Sequence, residues 1–283
     1  MSLIEVKGLT KSYGDVHAVR GVDLAIEQGE IFSILGPNGA GKTTTVEILE
    51  GFRTRDAGSV SVLGFDPNTK GHQSREWRNR IGIVLQSSSD AGDLTVFETI
   101  NHFSGYYSNP RDVEEVINSV GLKEKESALI RNLSGGQRRR LDVALGIIGN
   151  PELIFLDEPT TGFDPEARRA FWALINKLRG DGATILLTTH YLDEAEALAD
   201  RVAVINKGVI VEVSTPAELG GRATSQATVQ WRDSDQIKSE KTDNPTALVA
   251  SLAARFNGEV PELIVTRPSL EDIYLEMIGG VDE

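Results

Sequence analysis

The fold of this chain is decided by one stretch of sequence, Ile31-Phe32-Ser33-Ile34-Leu35-Gly36-Pro37-Asn38-Gly39-Ala40-Gly41-Lys42-Thr43-Thr44. Its first five residues are mostly apolar, which is typical of a strand that is covered on both faces of a sheet. The glycines that follow allow successive backbone N–H groups to turn inward, and a helix that begins at Lys42 directs the positive end of its dipole toward the same point. The stretch therefore predicts a strand, a loop that cradles phosphate groups, and a helix.

The side chains of this Gly-x-x-x-x-Gly-Lys-Thr loop have expected roles. Lys42 is expected to reach the β- and γ-phosphates of a nucleotide and to stabilise charge in catalysis, and the Thr43 hydroxyl is expected to bind Mg²⁺. Gly51 is expected to end the helix, since glycine is a common C-terminal cap. A glycine-rich turn without a ligand is the alternative. The predicted nucleotide-binding residues of the loop are Gly36, Pro37, Asn38, Gly39, Ala40, Gly41, Lys42, Thr43 and Thr44.

A second apolar run, Leu153–Leu156, ends in the acids Asp157 and Glu158. Ligands of open α/β sheets bind beyond the carboxyl ends of the strands, so Asp157 is predicted to hold Mg²⁺ through water. The adjacent Glu158 is predicted to be the general base that activates a water molecule. The alternative is an acidic helix N-terminus before Pro159. The pairing of this run with the glycine-rich loop favours the catalytic interpretation.

Other apolar runs extend the predicted sheet, namely Ile81–Leu85, Thr184–Leu187 and Val202–Ile205. Continuous hydrophobicity in short runs predicts a parallel sheet with crossover helices, and hence an α/β fold. Leu3–Leu9 and Val16–Ile26 alternate more between apolar and polar residues, which predicts a small antiparallel sheet at the N-terminus. The sequence thus predicts an antiparallel β subdomain followed by a nucleotide-binding core.

Two further regions differ in composition from this core. Leu94–Leu141 has apolar residues at helical spacing and is predicted to be a helical insertion of about residues 94–141. A change of composition near Gly220-Gly221 divides the chain into a predicted main domain of residues 1–220 and a small accessory domain of residues 221–283. Within the accessory domain, we expect a polar, turn-rich segment, Ala223–Glu240, and a helix that begins at Ser269 as its N-cap.

The 283 residues carry a formal net charge of −13, and 40% of them are hydrophobic. These values are typical of a globular protein and exclude the disordered and fibrous classes. An acidic surface repels phosphate polyanions, so we expect no nucleic-acid partner. The chain contains no cysteine, and therefore no disulfide framework is predicted. Neither a signal peptide nor an apolar run of about 18 residues is found, so membrane attachment is expected to need another chain.

A second candidate anion site is found in Leu133-Ser134-Gly135-Gly136-Gln137. Ser134 is predicted to cap a helix whose first amides are left uncovered by the two glycines. One nucleotide does not need two such cradles, so we infer that this site serves the nucleotide of a second copy of the chain. Two copies would then form a head-to-tail dimer with ATP between them. The alternative is an ordinary helix with a serine cap.

These motifs, in this order, resemble those of the ATP-binding-cassette (ABC) ATPases, the nucleotide-binding subunits of membrane transporters. The resemblance covers about residues 3–215 and implies a P-loop core with a helical subdomain that carries the signature motif Ser134, Gly135, Gly136 and Gln137, which contacts ATP. It implies that Tyr13 stacks on adenine. It also implies that Gln86 contacts Mg²⁺ and the attacking water and links the ATPase to its transmembrane partner.

Two more residues take their expected roles from this resemblance. His190, which follows Ile185-Leu186-Leu187-Thr188-Thr189, resembles the histidine that contacts the γ-phosphate. Asp164 stands at the position of the family's D-loop acid and is expected to lie near the nucleotide. Phe163 replaces a leucine that is usual there, so we expect the packing between subunits to differ in detail at this position.

The segment Pro268–Leu275 resembles the C-terminal ending of exporter ATPases that pair with separately encoded permeases of the drug and antibiotic (ABC-2) type. A short amphipathic helix that only closes the small domain is the alternative. The resemblance implies a homodimeric ATPase at the cytoplasmic face of the cell membrane, bound to a permease that exports a drug-like or lipophilic compound. The alternatives are a soluble ABC-type switch in DNA repair or translation and a nutrient-importer subunit.

Overall fold

The computed structural model describes residues 2–84 and 92–279. The chain divides into two compact units, one up to Val213 and one from Ser214 onward. The sequence placed the domain boundary later, after residue 220, and the extents of the two predicted domains stay predictions. We describe each unit by itself.

The first unit alternates strands and helices along most of its length. Its elements are β1 (Ser2–Tyr13), β2 (Val16–Glu27), β3 (Ile31–Leu35), α1 (Lys42–Leu49), β4 (Ala57–Val62), α2 (His72–Arg78), β5 (Ile81–Val84), α3 (Val96–Ser104), α4 (Val113–Ser119), α5 (Gly135–Ile147), β6 (Leu153–Asp157), α6 (Pro165–Gly180), β7 (Thr184–Thr189), α7 (Leu192–Leu198), β8 (Arg201–Asn206) and β9 (Val209–Ser214).

The central sheet has six strands in the order β5-β6-β7-β3-β8-β9. The pairs among β5, β6, β7, β3 and β8 are parallel, which confirms the predicted α/β class. Alternate residues of β6 pack on opposite faces, with Leu153 and Phe155 in one hydrophobic cluster and Ile154 and Leu156 in the other. Because both faces are covered, these strands have continuous apolar sequences. Leu85, the predicted end of β5, lies outside the described residues.

A second sheet of the first unit is antiparallel and has the order β2-β1-β4. Its residues alternate between buried and exposed, as in Ile4, Val6 and Leu9 of β1, which are all buried. This sheet confirms the expected antiparallel β subdomain. Strand β4, which follows α1 by only a few residues, was not predicted.

Three α-helices lie between β5 and β6 in the described part of the first unit. The N-termini of α3 and α5 each carry a capping box, formed by Thr95 with Glu98 and by Ser134 with Gln137. Asp112 caps α4 by accepting a hydrogen bond from the Glu115 N–H. Residues 96–147 contain no strand, in agreement with the predicted helical character.

The second unit is a small sheet with two helices. The strands lie in the order β11-β10-β12 and are antiparallel. Val229 and Trp231 of the central strand pack with Leu252 and Val260 in a separate hydrophobic cluster. The elements are β10 (Ala227–Asp233), β11 (Gln236–Thr242), α8 (Pro245–Arg255), β12 (Ile264–Thr266) and α9 (Leu270–Gly279).

The hairpin of β10 and β11 corrects the expectation that Ala223–Glu240 is only polar and turn-rich. Six of the seven residues of β11 are exposed, so the strand lacks the alternation by which a half-buried strand is recognised. Backbone pairing with β10 nevertheless forms it. The predicted cap at Ser269 is present, since its hydroxyl accepts a hydrogen bond from the Asp272 N–H.

Candidate functional site

The glycine-rich loop between β3 and α1 needs two of its glycines for steric reasons. A Cβ atom at Gly36 would stand 2.4 Å from the carbonyl oxygen of Ile205 on β8. Gly41, the residue before α1, has a φ of 105° and would place a Cβ atom 2.4 Å from the Ala18 carbonyl oxygen. Only glycine fits such positions, where backbone approaches backbone closely. The loop is thus held closely against β2 and β8.

Lys42, the first residue of α1, is held inside this loop. Its Nζ atom donates hydrogen bonds to the carbonyl oxygens of Gly36, at 2.8 Å, and Pro37, at 3.2 Å. The residue is only 5% exposed. Burial lowers the pKa of Lys42, and the charges of Glu158 and Asp157 act in the opposite direction. The lysine therefore lies near the carboxyl end of β6 and is held by backbone carbonyl groups of the glycine-rich loop.

Asp157 and Glu158 leave strand β6 beside the end of β7. Asp157 lies opposite Thr188 in the parallel register, and the Thr188 hydroxyl donates a hydrogen bond to Asp157 Oδ1. The Glu158 N–H donates to the Thr188 carbonyl oxygen and to its hydroxyl, both at 3.1 Å. Glu158 has a φ of 44°, which is uncommon for a residue with a side chain. Such strained backbone is often found at functional sites.

Glu158 and His190 lie within reach of each other. His190 Nδ1 is 3.3 Å from Glu158 Oε1, and the imidazole side chain is 40% exposed. The ring of His190 lies against the ring of Tyr191, with 4.1 Å between the centroids. The structure thus brings the expected base and the expected γ-phosphate contact to one edge of the sheet, together with Lys42 and Asp157.

The helix N-terminus at Ser134 is a separate surface of the same unit. The Ser134 hydroxyl accepts a hydrogen bond from the Gln137 N–H at 3.3 Å, and Gln137 Oε1 accepts one from the Ser134 N–H at 3.1 Å. A Cβ atom at Gly135 or at Gly136 would meet no atom within 4 Å. Space is therefore open beside the two glycines at this helix N-terminus, and these four residues form no described hydrogen bond with the glycine-rich loop.

The other predicted site residues within the described part of the chain lie at the end of β1 and at the start of α6. Tyr13 ends β1, and its ring is 5.5 Å from Lys11 Nζ and 5.4 Å from the guanidinium carbon of Arg53. Asp164 caps α6 by accepting a hydrogen bond from the Ala167 N–H at 2.8 Å. Phe163 packs edge-to-face on Phe171, with 5.9 Å between the centroids. Gln86 lies outside the described residues.

Two residues of the site were missed by the sequence analysis. Thr188 connects the Asp157 side chain with the Glu158 backbone, and a threonine near the end of an apolar strand was the only signal for it. Arg139 of α5 is 8% exposed and donates to the carbonyl oxygens of Asp157, at 2.9 Å, and Pro159, at 3.0 Å. The signal for Arg139 was weak, because it is one of three consecutive arginines.

The donor atoms fit the cation that the sequence led us to expect. Thr43 is exposed in the first turn of α1, so its hydroxyl is accessible at the mouth of the loop. Asp157 supplies a carboxylate at the end of β6. A hydroxyl and a carboxylate are the hard oxygen ligands that Mg²⁺ prefers, and phosphate oxygens complete such sites in many nucleotide-binding proteins.

Fold and site together define a nucleotide-binding α/β protein with a phosphate loop at the carboxyl ends of its parallel strands. The sequence profile described as "ABC transporter" matches residues 19–161. The chain belongs to this family and is an ATPase that binds ATP and works with a membrane permease.

Two curated relatives show how far the similarity extends. The chain is 36% identical to the daunorubicin/doxorubicin resistance ATP-binding protein DrrA of Streptomyces peucetius, over 98% of this chain and 92% of the relative. It is 40% identical to the Nod factor export ATP-binding protein I of Ralstonia nicotianae, over 77% of this chain and 68% of the relative.

Solved structures show the same fold. A dimeric ATP-binding cassette in a post-hydrolysis state, bound to ADP and Pi, matches with a TM-score of 0.68 and 25% identity, over 75% of this chain and 98% of that chain. An ABC transporter subunit from Clostridium perfringens matches with a TM-score of 0.69 and 26% identity, over 77% and 90% of the two chains.

Proposed function

We propose that this chain is the ATP-hydrolysing subunit of an exporter, and that it powers a separately encoded permease for a drug-like or lipophilic compound. The observation that carries the proposal is the similarity, along nearly its whole length, to an ATP-binding protein named for drug resistance. The second relative is named for export of a different compound. The first name refers to drug resistance and the second to export, and together they favour an exporter over a nutrient importer.

The ATPase mechanism that we propose uses the residues at the carboxyl edge of the sheet. The loop amides and Lys42 bind the phosphates, and Tyr13 stacks on the adenine. Glu158 takes a proton from a water molecule that attacks the γ-phosphorus, while the bond to the β-phosphate oxygen breaks and ADP leaves. His190 hydrogen-bonds the γ-phosphate. Thr43, Asp157 and Gln86 would hold Mg²⁺, which supplies positive charge against the phosphate oxygens.

The proposed active form is a homodimer of the chain. The helix N-terminus at Ser134 would donate its amides to the γ-phosphate of the partner copy, and Asp164 would lie near the shared interface. The open space over Gly135 and Gly136 supports this assignment, because a nucleotide of another chain can approach there. The charge stabilisation provided by such donors is commonly a large part of catalysis.

The proposed permease surface is a groove of about 710 Å³ in the first unit. Ile81, Ile83 and Val84 of β5 line it together with Phe103 and Leu141. Gln86, the residue that we expect to link the ATPase to a transmembrane partner, follows this strand by two residues in sequence. None of the described helices is long and apolar enough to cross a membrane. Binding to the permease would place the chain at the cytoplasmic face of the cell membrane.

The proposal is tested by affinity purification of tagged protein from detergent-solubilised membranes of its native cell. We expect a polytopic membrane protein of the exporter type to be recovered, and the complex to hydrolyse ATP. Lys42→Ala should recover the same membrane protein without hydrolysis, because the loop then binds phosphate poorly. Recovery of an importer permease would contradict export. Recovery of ribosomes or DNA-repair factors without any membrane protein would favour the soluble switch.

A further inference from the structure

A cluster of buried polar side chains lies behind the pair formed by Glu158 and His190. At its centre is Glu194 of α7, which is 0% exposed. Trp172 of α6 donates its indole N–H to Glu194 Oε1 at 3.3 Å. A buried carboxyl is costly unless it is well hydrogen-bonded, so its presence beside the site needs a physical reason.

Glu194 contacts both segments that carry the expected catalytic side chains. The hydroxyls of Thr189 and Thr160 lie near its carboxyl group; the first precedes His190 directly, and the second follows Glu158 by two residues. Burial raises the pKa of Glu194, and the two hydroxyls and the indole act in the opposite direction. One helix residue therefore connects the end of β7 with the segment after β6.

The contact with Thr160 is incomplete in this structure. Glu194 Oε2 and Thr160 Oγ1 are both buried, and neither has a hydrogen-bond partner among the described residues. Buried polar atoms are nearly always paired, so two unpaired atoms near each other indicate a bond that a small movement would complete.

Helices α6 and α7 also hold the residue that follows His190, Tyr191. Arg168 of α6 lies over the ring of Tyr191, 4.6 Å from its centroid, and donates to Asp193 of α7 at 2.9 Å. Tyr191 in turn packs on the His190 ring. Helices α6 and α7 therefore hold the histidine through its neighbours on both sides, by Thr189 and by Tyr191.

We propose that Glu194 is a positioning residue of the ATPase site, which fixes the segment of Glu158 relative to the segment of His190. The proposal rests on the proposed function, because it assumes that Glu158 and His190 act on the γ-phosphate. Glu194 does not touch the nucleotide. Its effect is on the geometry of the hydrolysis step, and it leaves the loop that binds the phosphates unchanged.

The test compares Glu194→Leu with Glu194→Gln in the full chain, with ATP affinity and steady-state hydrolysis measured for each. Leucine removes every acceptor, so we expect kcat to fall about tenfold to a hundredfold, as is typical of misplaced catalytic groups. Glutamine keeps an acceptor at the same place and should retain a kcat within about threefold of wild type. ATP affinity should stay within about threefold in both. Glu196→Leu, an exposed acid on the same helix, is the matched control.

Two threonine variants provide a test that still works if Glu194→Leu does not fold. Thr189→Val and Thr160→Val remove only the hydroxyls and should each lower kcat. Thr160→Val should add little to Glu194→Leu, because residues that act through one contact are non-additive. Thr189→Val also removes the hydrogen bond that the Thr189 hydroxyl accepts from the Tyr191 N–H at 3.0 Å, so only Thr160→Val is used for this comparison. Wild-type kcat in Glu194→Leu, or in both valine variants, would overturn the proposal. So would additive effects or an inactive Glu194→Gln.

Failure of this inference can be told apart from failure of the proposed function. Glu158→Gln and Lys42→Ala are measured in parallel. If both hydrolyse ATP like wild type, the assigned ATPase site is wrong. If both lose hydrolysis while Glu194→Leu does not, only the role of Glu194 is wrong.

Discussion

Glu50, at the end of α1, is a carboxyl with an unusual environment. It is 4% exposed, and burial, followed by the charges of Asp157 and Glu47, raises its pKa to about 8. The folded chain therefore keeps a proton on Glu50 at pH values where the unfolded chain, with an ordinary glutamate pKa, has lost it. Between about pH 4.5 and pH 8, this difference lowers the free energy of unfolding as the pH rises.

We therefore expect Glu50→Gln to be more stable than wild type, by a margin that grows from pH 5 to pH 8. The slope of the margin should approach about 1.4 kcal/mol per pH unit in that window. Urea unfolding at several pH values, in EDTA and without nucleotide, measures it. Glu5→Gln, an exposed acid on β1, is the control and should give a margin that does not change in this way. A constant margin for Glu50→Gln would contradict the prediction.

In the first turn of α5, the residues that stabilise the helix differ from the glycine that we expect to face ATP. The capping box of Ser134 and Gln137 holds the helix, while a Cβ atom added at Gly136 would meet no atom within 4 Å. An acidic side chain in the first turn interacts favourably with the helix dipole, by about 0.5 kcal/mol. The same negative charge would repel the phosphate of a second copy.

We therefore expect Gly136→Asp to melt at the wild-type temperature or slightly above it, while its kcat for ATP falls about a hundredfold, as for a lost transition-state donor. ATP affinity of the monomer should stay unchanged, because the glycine-rich loop is intact. Gly136→Ala, which adds a Cβ atom without charge, should lose less activity. The assignment to a partner's nucleotide is refuted if ATP affinity falls as far as kcat.

At the scale of the whole molecule, the proposed mechanism depends on the association of two copies of the chain. Each copy carries a formal charge of −13, so two copies repel at low ionic strength. ATP bound between them would have to overcome this repulsion through the loop of one copy and the Ser134 helix of the other. Screening at about 0.15 M salt, where the Debye length is about 8 Å, reduces the repulsion.

Glu158→Gln should trap this dimer, because the amide cannot take a proton from water and the bound ATP persists. Light scattering with ATP and Mg²⁺ at about 0.15 M salt should show a doubled mass for this variant. Wild type should return to the monomer as ATP is consumed. Combining the variant with Lys42→Ala should abolish the dimer. A monomer under all conditions would count against the shared ATP site.

Much of this protein was determined by local sequence patterns. The buried strand before Gly36, the helix that begins at Lys42 and the capping box at Ser134 depend on residues only a few positions apart. Their physical causes are backbone freedom at glycine, helix capping and continuous hydrophobicity, all of which are visible in a single chain segment. The predicted α/β fold followed from them. The roles of the individual site residues stay predictions.

Tertiary structure alone decided the contacts between segments that are distant in sequence. The register that places Thr188 against Asp157, and the burial of Glu194 beside Thr160, depend on which strands and helices become neighbours. The exposed strand β11 formed for the same reason, since its backbone pairs with β10 although its side chains have no apolar pattern. A side chain's own neighbours in sequence cannot encode such contacts, because they arise only when the sheet order brings separate segments together.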